Sequence, residues 1–166
     1  MMSGLLRRGG GALLLAATAL MLGGVAPAVG DVAPDFRLTM VDGSHVQLSE
    51  LRGQVIVLNF WATWCAPCRQ ELPTLDGYYR ARRNSGLRVF AIATEGSLPV
   101  YQLRRLFGAM TIPSARAIRG PYGSLGGMPT NFVIDRAGRV RYAAAGAFTL
   151  ASLNRTLIPL LNEPAP

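Results

Sequence analysis

Val55-Ile56-Val57-Leu58-Asn59-Phe60-Trp61-Ala62-Thr63-Trp64-Cys65-Ala66-Pro67-Cys68 is the stretch on which the reading of this chain turns. Its first six residues are an apolar run, rich in β-branched side chains, that reads as a central strand buried on both faces. From Cys65 to about Asn84 the period changes. Leu72, Leu75 and Tyr79 recur at three- and four-residue spacing, which predicts a helix, and Pro73 inside it predicts a kink. A Cys-x-x-Cys pair therefore stands where a strand gives way to a helix, a specific signal for redox chemistry. At a helix start Cys65 lies near unsatisfied backbone N–H groups and the positive end of the helix dipole. Both favour the thiolate, the reactive form of cysteine. Cys68, one turn further in, is placed to close a disulfide with Cys65 and is expected to be less exposed. The implied mechanism is attack by Cys65 on a substrate disulfide, then attack by Cys68 on Cys65 to release the substrate.

These are the only two cysteines in the chain. A bridge closing so short a loop restricts the unfolded chain little, so the pair reads as chemical rather than structural. An inert bridge is the bland alternative. Zinc needs three or four ligands, and beyond this pair the chain offers one histidine, His45, so neither a metal nor a cofactor is expected. His45 itself reads as a surface residue of a hairpin.

Working outward, Val41-Asp42-Gly43-Ser44 is a turn signal between two short strand-like runs, and Leu48 to Leu51 is one helical turn. Downstream, Leu87 to Ala93 is a second buried strand and Pro99 to Phe107 a second helix. Phe132 to Ile134 is a third strand, and Asp135-Arg136-Ala137-Gly138 turns into a partner strand over Arg139 to Ala143. Thr149 caps a final helix in which Pro159 is an awkward residue. Ala115 to Gly127 reads as a loop, with five Gly and Pro residues around Tyr122. The order predicts one α/β domain whose sheet mixes parallel and antiparallel strands.

Half of the 166 residues are hydrophobic and 16% are charged, the balance of a globular domain. The net charge is +8, and all 17 basic residues are Arg. They are scattered, with Arg80-Ala81-Arg82-Arg83 the densest cluster. No basic stripe interleaved with aromatics is present, which argues against nucleic-acid binding. A solvated basic surface is the plain reading, and contact with an anionic membrane or an acidic partner the alternative. Arg7 and Arg8 precede an uncharged stretch from Gly9 to Gly30 with an apolar heart at Ala12 to Leu22, and Ala26-Pro27-Ala28 puts small residues where an export peptidase reads. Residues 1–28 are thus expected to be a secretory signal peptide, or else an uncleaved N-terminal membrane anchor. Either reading places the domain, residues 29–166, outside the cytoplasm in an oxidising compartment such as the periplasm.

The segment Asn59-Phe60-Trp61-Ala62-Thr63-Trp64-Cys65-Ala66-Pro67-Cys68-Arg69-Gln70-Glu71-Leu72-Pro73 resembles the active-site segment of TlpA/ResA-like extracytoplasmic thiol–disulfide oxidoreductases, members of the thioredoxin superfamily. The likeness runs from Ala33-Pro34-Asp35-Phe36 through Gly127-Met128-Pro129-Thr130-Asn131-Phe132-Val133-Ile134-Asp135. It implies a thioredoxin-like fold: a central mixed sheet flanked by helices, with an N-terminal β-hairpin extension. It also implies that Pro129 follows a cis peptide bond and faces the redox pair, exposing the Met128 backbone for pairing with substrate; an ordinary turn proline is the alternative. Trp64, Ala66 and Pro67 beside the cysteines, and Met128, Pro129 and Thr130 opposite them, are the implied substrate-binding surface. Glu71 matches a family glutamate three residues after the second cysteine. Partly buried, it would have a raised pKa and take the proton from Cys68; the alternative is a surface Glu paired with an Arg. Trp61 reads as core, and Arg69 is expected to point along the helix surface into water.

Two departures from the family stand out: Thr130-Asn131, where it often has two Thr, and the short Ala115–Gly127 segment, where relatives place a longer helical stretch. Ala66-Pro67 lacks the histidine of strong oxidants, which favours a reductant. A reductant there needs a membrane thiol-transfer protein as electron donor, and family analogy gives protein thiols as substrates, such as haem-attachment cysteines of apocytochrome c or copper-site cysteines of an oxidase. A thiol peroxidase is one rival, but its Thr three residues before the reactive Cys is replaced by Ala62. A copper-binding assembly factor is another, but no His follows the cysteines.

Overall fold

The structure is a computed structural model that describes residues 25–94 and 98–165. Residues 1–24 of the expected signal or anchor lie outside the described residues. Among the described residues no helix is long and apolar enough to cross a membrane.

Seven strands form one sheet: β1 (Arg37–Met40), β2 (His45–Gln47), β3 (Val55–Trp61), β4 (Leu87–Ala93), β5 (Ser114–Arg119), β6 (Thr130–Ile134) and β7 (Val140–Ala145), in the order β2-β1-β5-β4-β3-β6-β7. The helices are α1 (Ala66–Arg82), α2 (Val100–Phe107) and α3 (Leu150–Asn162), with a short 3₁₀ turn at Leu48–Leu51. β3 pairs parallel with β4 and antiparallel with β6, so it lies at the centre, and all seven of its residues are buried. The expected hairpin of β1 and β2 joins the same sheet through antiparallel pairing of β1 with β5.

Strand alternation sorts the core into two layers. Val55, Val57 and Trp61 face one layer, where they meet Leu72 and Leu75 of α1, Leu103 and Phe107 of α2, and Leu153 and Leu157 of α3. All three helices therefore cover one face. Ile56, Leu58 and Phe60 point into the opposite layer with Phe90, Ile92, Phe132 and Ile134. Among the described residues that layer is roofed without an α-helix, by Ala33 and Phe36 of the N-terminal segment, Leu51, and Tyr122 and Leu125 of the segment before β6. Tyr122 holds this roof together. Its ring stands edge-on to Phe36 at 5.6 Å and Phe132 at 5.3 Å, and its hydroxyl donates to the Pro34 carbonyl at 2.7 Å.

The structure corrects the sequence reading at Ser114–Arg119, which is a strand and not part of a loop. Its Ala and Arg residues give no β-branched run. The strand forms because Ser114 and Ala115 pair with β4, and Ala115 to Arg119 pair with β1. Gly120, at φ +139°, ends it where a Cβ would come within 3.0 Å of the Asp35 carbonyl oxygen. α1 continues through Pro73 as one element, and α3 through Pro159. Thr149 caps α3 as expected, accepting from the Ser152 N–H at 3.1 Å.

If Tyr122 anchors this roof, Tyr122→Phe removes one part-buried hydrogen bond while keeping the ring contacts. The expected loss is about 1 kcal/mol of unfolding free energy in a urea titration. Faster amide exchange at Phe36 should accompany it, and an unchanged midpoint would show that the hydroxyl contributes nothing.

Candidate active site

The central strand ends at Trp61 and the chain turns through Ala62-Thr63-Trp64 into α1. Cys65 is the N-cap, with φ −83° and ψ 106°, and Pro67 sits in the first turn, where its missing N–H costs no helical bond. Cys65 and Cys68 are joined in a disulfide, with Cα atoms 5.3 Å apart. The Cys68 N–H donates to the Cys65 sulfur at 3.2 Å, the place a capping oxygen takes in other helices. A thiolate on Cys65 would sit on that same donor at the positive helix end. Cys68 is wholly buried and Cys65 is 4% exposed, while Trp64, Ala66 and Pro67 around them are open to solvent. Trp61, by contrast, is core, edge-on to Phe107 at 5.4 Å.

The Met128–Pro129 bond is cis, as the resemblance implied. β6 starts at the next residue, and Thr130 pairs with Phe60 near the end of β3, which places Pro129 at the same end of the sheet as the cysteines. Met128 is half-buried and Pro129 buried, with its carbonyl accepting from the Gly146 N–H at 2.7 Å. Thr130 is wholly buried. Its hydroxyl donates to the Gly127 carbonyl at 2.6 Å and accepts from the Leu125 N–H at 3.1 Å, so it is committed to the preceding loop.

Glu71 lies between α1 and the sheet, 2% exposed. Its carboxylate accepts three hydrogen bonds: Asn59 Nδ2 on one oxygen at 2.9 Å, and on the other Asn131 Nδ2 at 2.9 Å and the Phe148 N–H at 2.6 Å. Asn59 and Asn131 are direct cross-strand partners of β3 and β6. Asn59 also donates to Asn131 Oδ1 at 2.9 Å. Burial pushes the Glu71 carboxyl above the ordinary glutamate value, and the three donors pull partly against it. The surface alternative for Glu71 is thereby removed.

Arg69 departs from expectation. It folds back so that Nη1 donates to the Thr63 carbonyl at 2.8 Å, bracing the turn that leads into Cys65. Beside it an apolar cleft of about 290 Å³ is lined by Trp61, Leu72, Pro73, Leu106 and Met110, among others. His45 is exposed on β2, away from this end of the site. The sequence reading noted Asn131 only as a departure and gave no part to Phe148. The available signal for Asn131 was strand parity: a polar side chain in a buried run, on the same face as Asn59.

The sequence model of the AhpC/TSA family matches residues 29–143. The thiol-disulfide oxidoreductase ResA of Geobacillus kaustophilus is 35% identical over 136 residues, covering 80% of this chain and 78% of that protein. Among solved structures, the thioredoxin family thiol:disulfide interchange protein of Chlorobium tepidum superposes with a TM-score of 0.69. It is 28% identical and covers 82% of this chain and 100% of its own. A secreted thiol-disulfide isomerase of Corynebacterium glutamicum gives a TM-score of 0.67 at 25% identity, covering 79% of this chain and 86% of its own.

The burial of Glu71 predicts its titration. In carbon-13 NMR of the disulfide form, the Glu71 carboxyl should titrate with a midpoint above the ordinary glutamate value. That resonance should be missing in Glu71→Gln. A Glu71 midpoint at or below the ordinary value would mean that the three donors outweigh desolvation.

Proposed function

The chain belongs to the AhpC/TSA family and, within it, to the ResA-like thiol–disulfide oxidoreductases, and from that premise we propose that it is an extracytoplasmic reductant of protein disulfides. The observation that carries the reading is the division of labour within one helical turn. Cys65 sits at the helix start on the Cys68 N–H, and Cys68 lies buried one turn before a buried carboxylate.

The cycle starts from the dithiol. The Cys65 thiolate attacks one sulfur of a substrate disulfide, forming a mixed disulfide and releasing the substrate's other sulfur as a thiolate that takes up a proton. Cys68 then gives its proton to Glu71 and attacks the Cys65 sulfur. The Cys65–Cys68 bond forms, the bond from Cys65 to substrate breaks, and the second substrate sulfur leaves as a thiolate. Two electrons have passed from the dithiol to the substrate, and Glu71 returns its proton to water or to the leaving thiolate. Ala62, wholly buried three residues before Cys65, offers no hydroxyl to a peroxide, which supports a disulfide as the electron acceptor.

Trp64, Ala66 and Pro67 form one wall of the substrate surface, and Met128 and Pro129 the other, with the Met128 backbone pairing with an extended substrate strand. Thr130 serves this surface by holding its loop, since its hydroxyl is already bonded. The expected compartment is oxidising, reached by export or by retention of the N-terminal segment at the inner membrane. A membrane thiol-transfer protein re-reduces the pair there. The substrates fitting that setting are cysteines awaiting haem or copper, as in cytochrome c or oxidase maturation.

Cys68→Ser tests the roles. The variant should accumulate mixed disulfides through Cys65, and limiting alkylation of the reduced wild type should label Cys65 first. Preferential labelling of Cys68 would reverse the assignment. Ala66 and Pro67 bring no charge to Cys65, so the potential in glutathione buffers should lie nearer thioredoxin's roughly −270 mV than the roughly −120 mV of a strong periplasmic oxidant. A value at the oxidant end would recast the protein as a disulfide donor, with Arg69 above the Thr63 turn the first residue to examine.

A further inference from the structure

We propose that Asn131 is a positioning residue that sets the proton affinity of Glu71, and with it the pH window in which Cys68 resolves the mixed disulfide. The proposal rests on the reading of Glu71 as the proton acceptor for Cys68.

The amide of Asn131 has its orientation fixed by its surroundings. Its Oδ1 accepts from Asn59 Nδ2 at 2.9 Å, which leaves Nδ2 to donate to Glu71 at 2.9 Å and to the Gly146 carbonyl at 3.2 Å. A flipped amide would set its oxygen against a carboxylate and a carbonyl, and its NH₂ against the Asn59 NH₂. The side chain is wholly buried, so water does not replace it. It is therefore a donor aimed at one carboxylate oxygen, and a donor to an ionised carboxylate favours the ionised form.

The groups facing Glu71 from the neighbouring elements are uncharged: Asn59 on β3, Asn131 on β6 and the Phe148 amide before α3. The titratable neighbours are Cys68 one turn back on α1 and Tyr142 on β7, whose phenol is held above its ordinary value by burial and secondarily by the Glu71 charge. Among the described residues no cation contributes to the Glu71 shift. The balance between burial and hydrogen bonding thus decides its proton affinity. Of the three donors, the Phe148 N–H is backbone and no side-chain replacement removes it.

Loss of the Asn131 donor raises the Glu71 pKa, because the ionised form loses a partner and the neutral form loses less. Glu71 must be ionised to accept the Cys68 proton, so the rising limb of the resolution rate moves to higher pH. The test uses reduced full-length protein and an aromatic disulfide that releases a coloured thiolate twice, once on attack by Cys65 and once on resolution by Cys68. The ratio of the second phase to the first is followed across pH in stopped flow. In Asn131→Leu, near-isosteric and without hydrogen-bonding atoms, the midpoint of that ratio should rise by about one pH unit, a roughly tenfold slower resolution below the midpoint. Asn131→Asp, which sets a second carboxyl against Glu71, should move it further the same way. Should the Leu variant fail to fold by circular dichroism, Asn131→Thr is read in its place with the same sign. An unchanged midpoint in a folded Asn131 variant, while Glu71→Gln removes the pH dependence, overturns the inference and leaves the Glu71 reading intact. A wild-type profile in Glu71→Gln overturns the Glu71 reading itself, and this inference with it.

Discussion

A carboxylate buried between the central sheet and the first helix is the constraint on which the rest of this structure depends. Moving an ionised group out of water without partners would cost several kcal/mol, more than a typical domain can spare. Glu71 is tolerated because three donors converge on it from β3, β6 and the turn before α3. Those bonds key the helix carrying the cysteines to the two strands beneath it. A one-residue slip of β6 would turn Asn131 to the opposite face and leave Glu71 short of a donor, so the polar contact specifies register as well as proton affinity.

The same arrangement separates the needs of the two sulfurs. The Cys65 sulfur accepts from the Cys68 N–H at the helix start, where the dipole would favour a thiolate. Cys68 lies inside the first turn, wholly buried, where a thiolate has little support from solvent. The carboxylate of Glu71, one turn further along the helix, is held from the sheet by Asn59 and Asn131. In the proposed cycle the order of attack follows from this asymmetry, one sulfur being prepared by backbone geometry and the other by a side chain.

Sequence periodicity made the redox end legible. The apolar run of β3, the change of period at Cys65 and the spacing of Leu72 and Leu75 locate the strand-to-helix junction, and the family resemblance adds the cis Pro129 and Glu71. The rest was hidden for physical reasons. Ser114–Arg119 has weak strand propensity and exists through its pairing with β1 and β4, a long-range effect that local patterning does not register. The bend of Arg69 toward the Thr63 carbonyl is decided by the turn it braces, not by its helical position. The gathering of three helices on one face depends on crossover geometry, and the aromatic roof on the other face on where Tyr122 lands.

β6 shows how the two faces divide the work. Thr130 and Asn131 are neighbours in sequence and point to opposite sides of the sheet. Thr130 bonds the loop that leads to the cis proline, and that loop is anchored by Tyr122 to Phe36 and Phe132 in the other layer. Asn131 bonds the carboxylate beneath the cysteines, in the layer packed by all three helices. Asn131 also bonds the Gly146 carbonyl, and the Gly146 N–H bonds the Pro129 carbonyl, so the two faces meet at Gly146. The alternation of one strand thus gives the loop and the buried carboxylate separate side-chain partners.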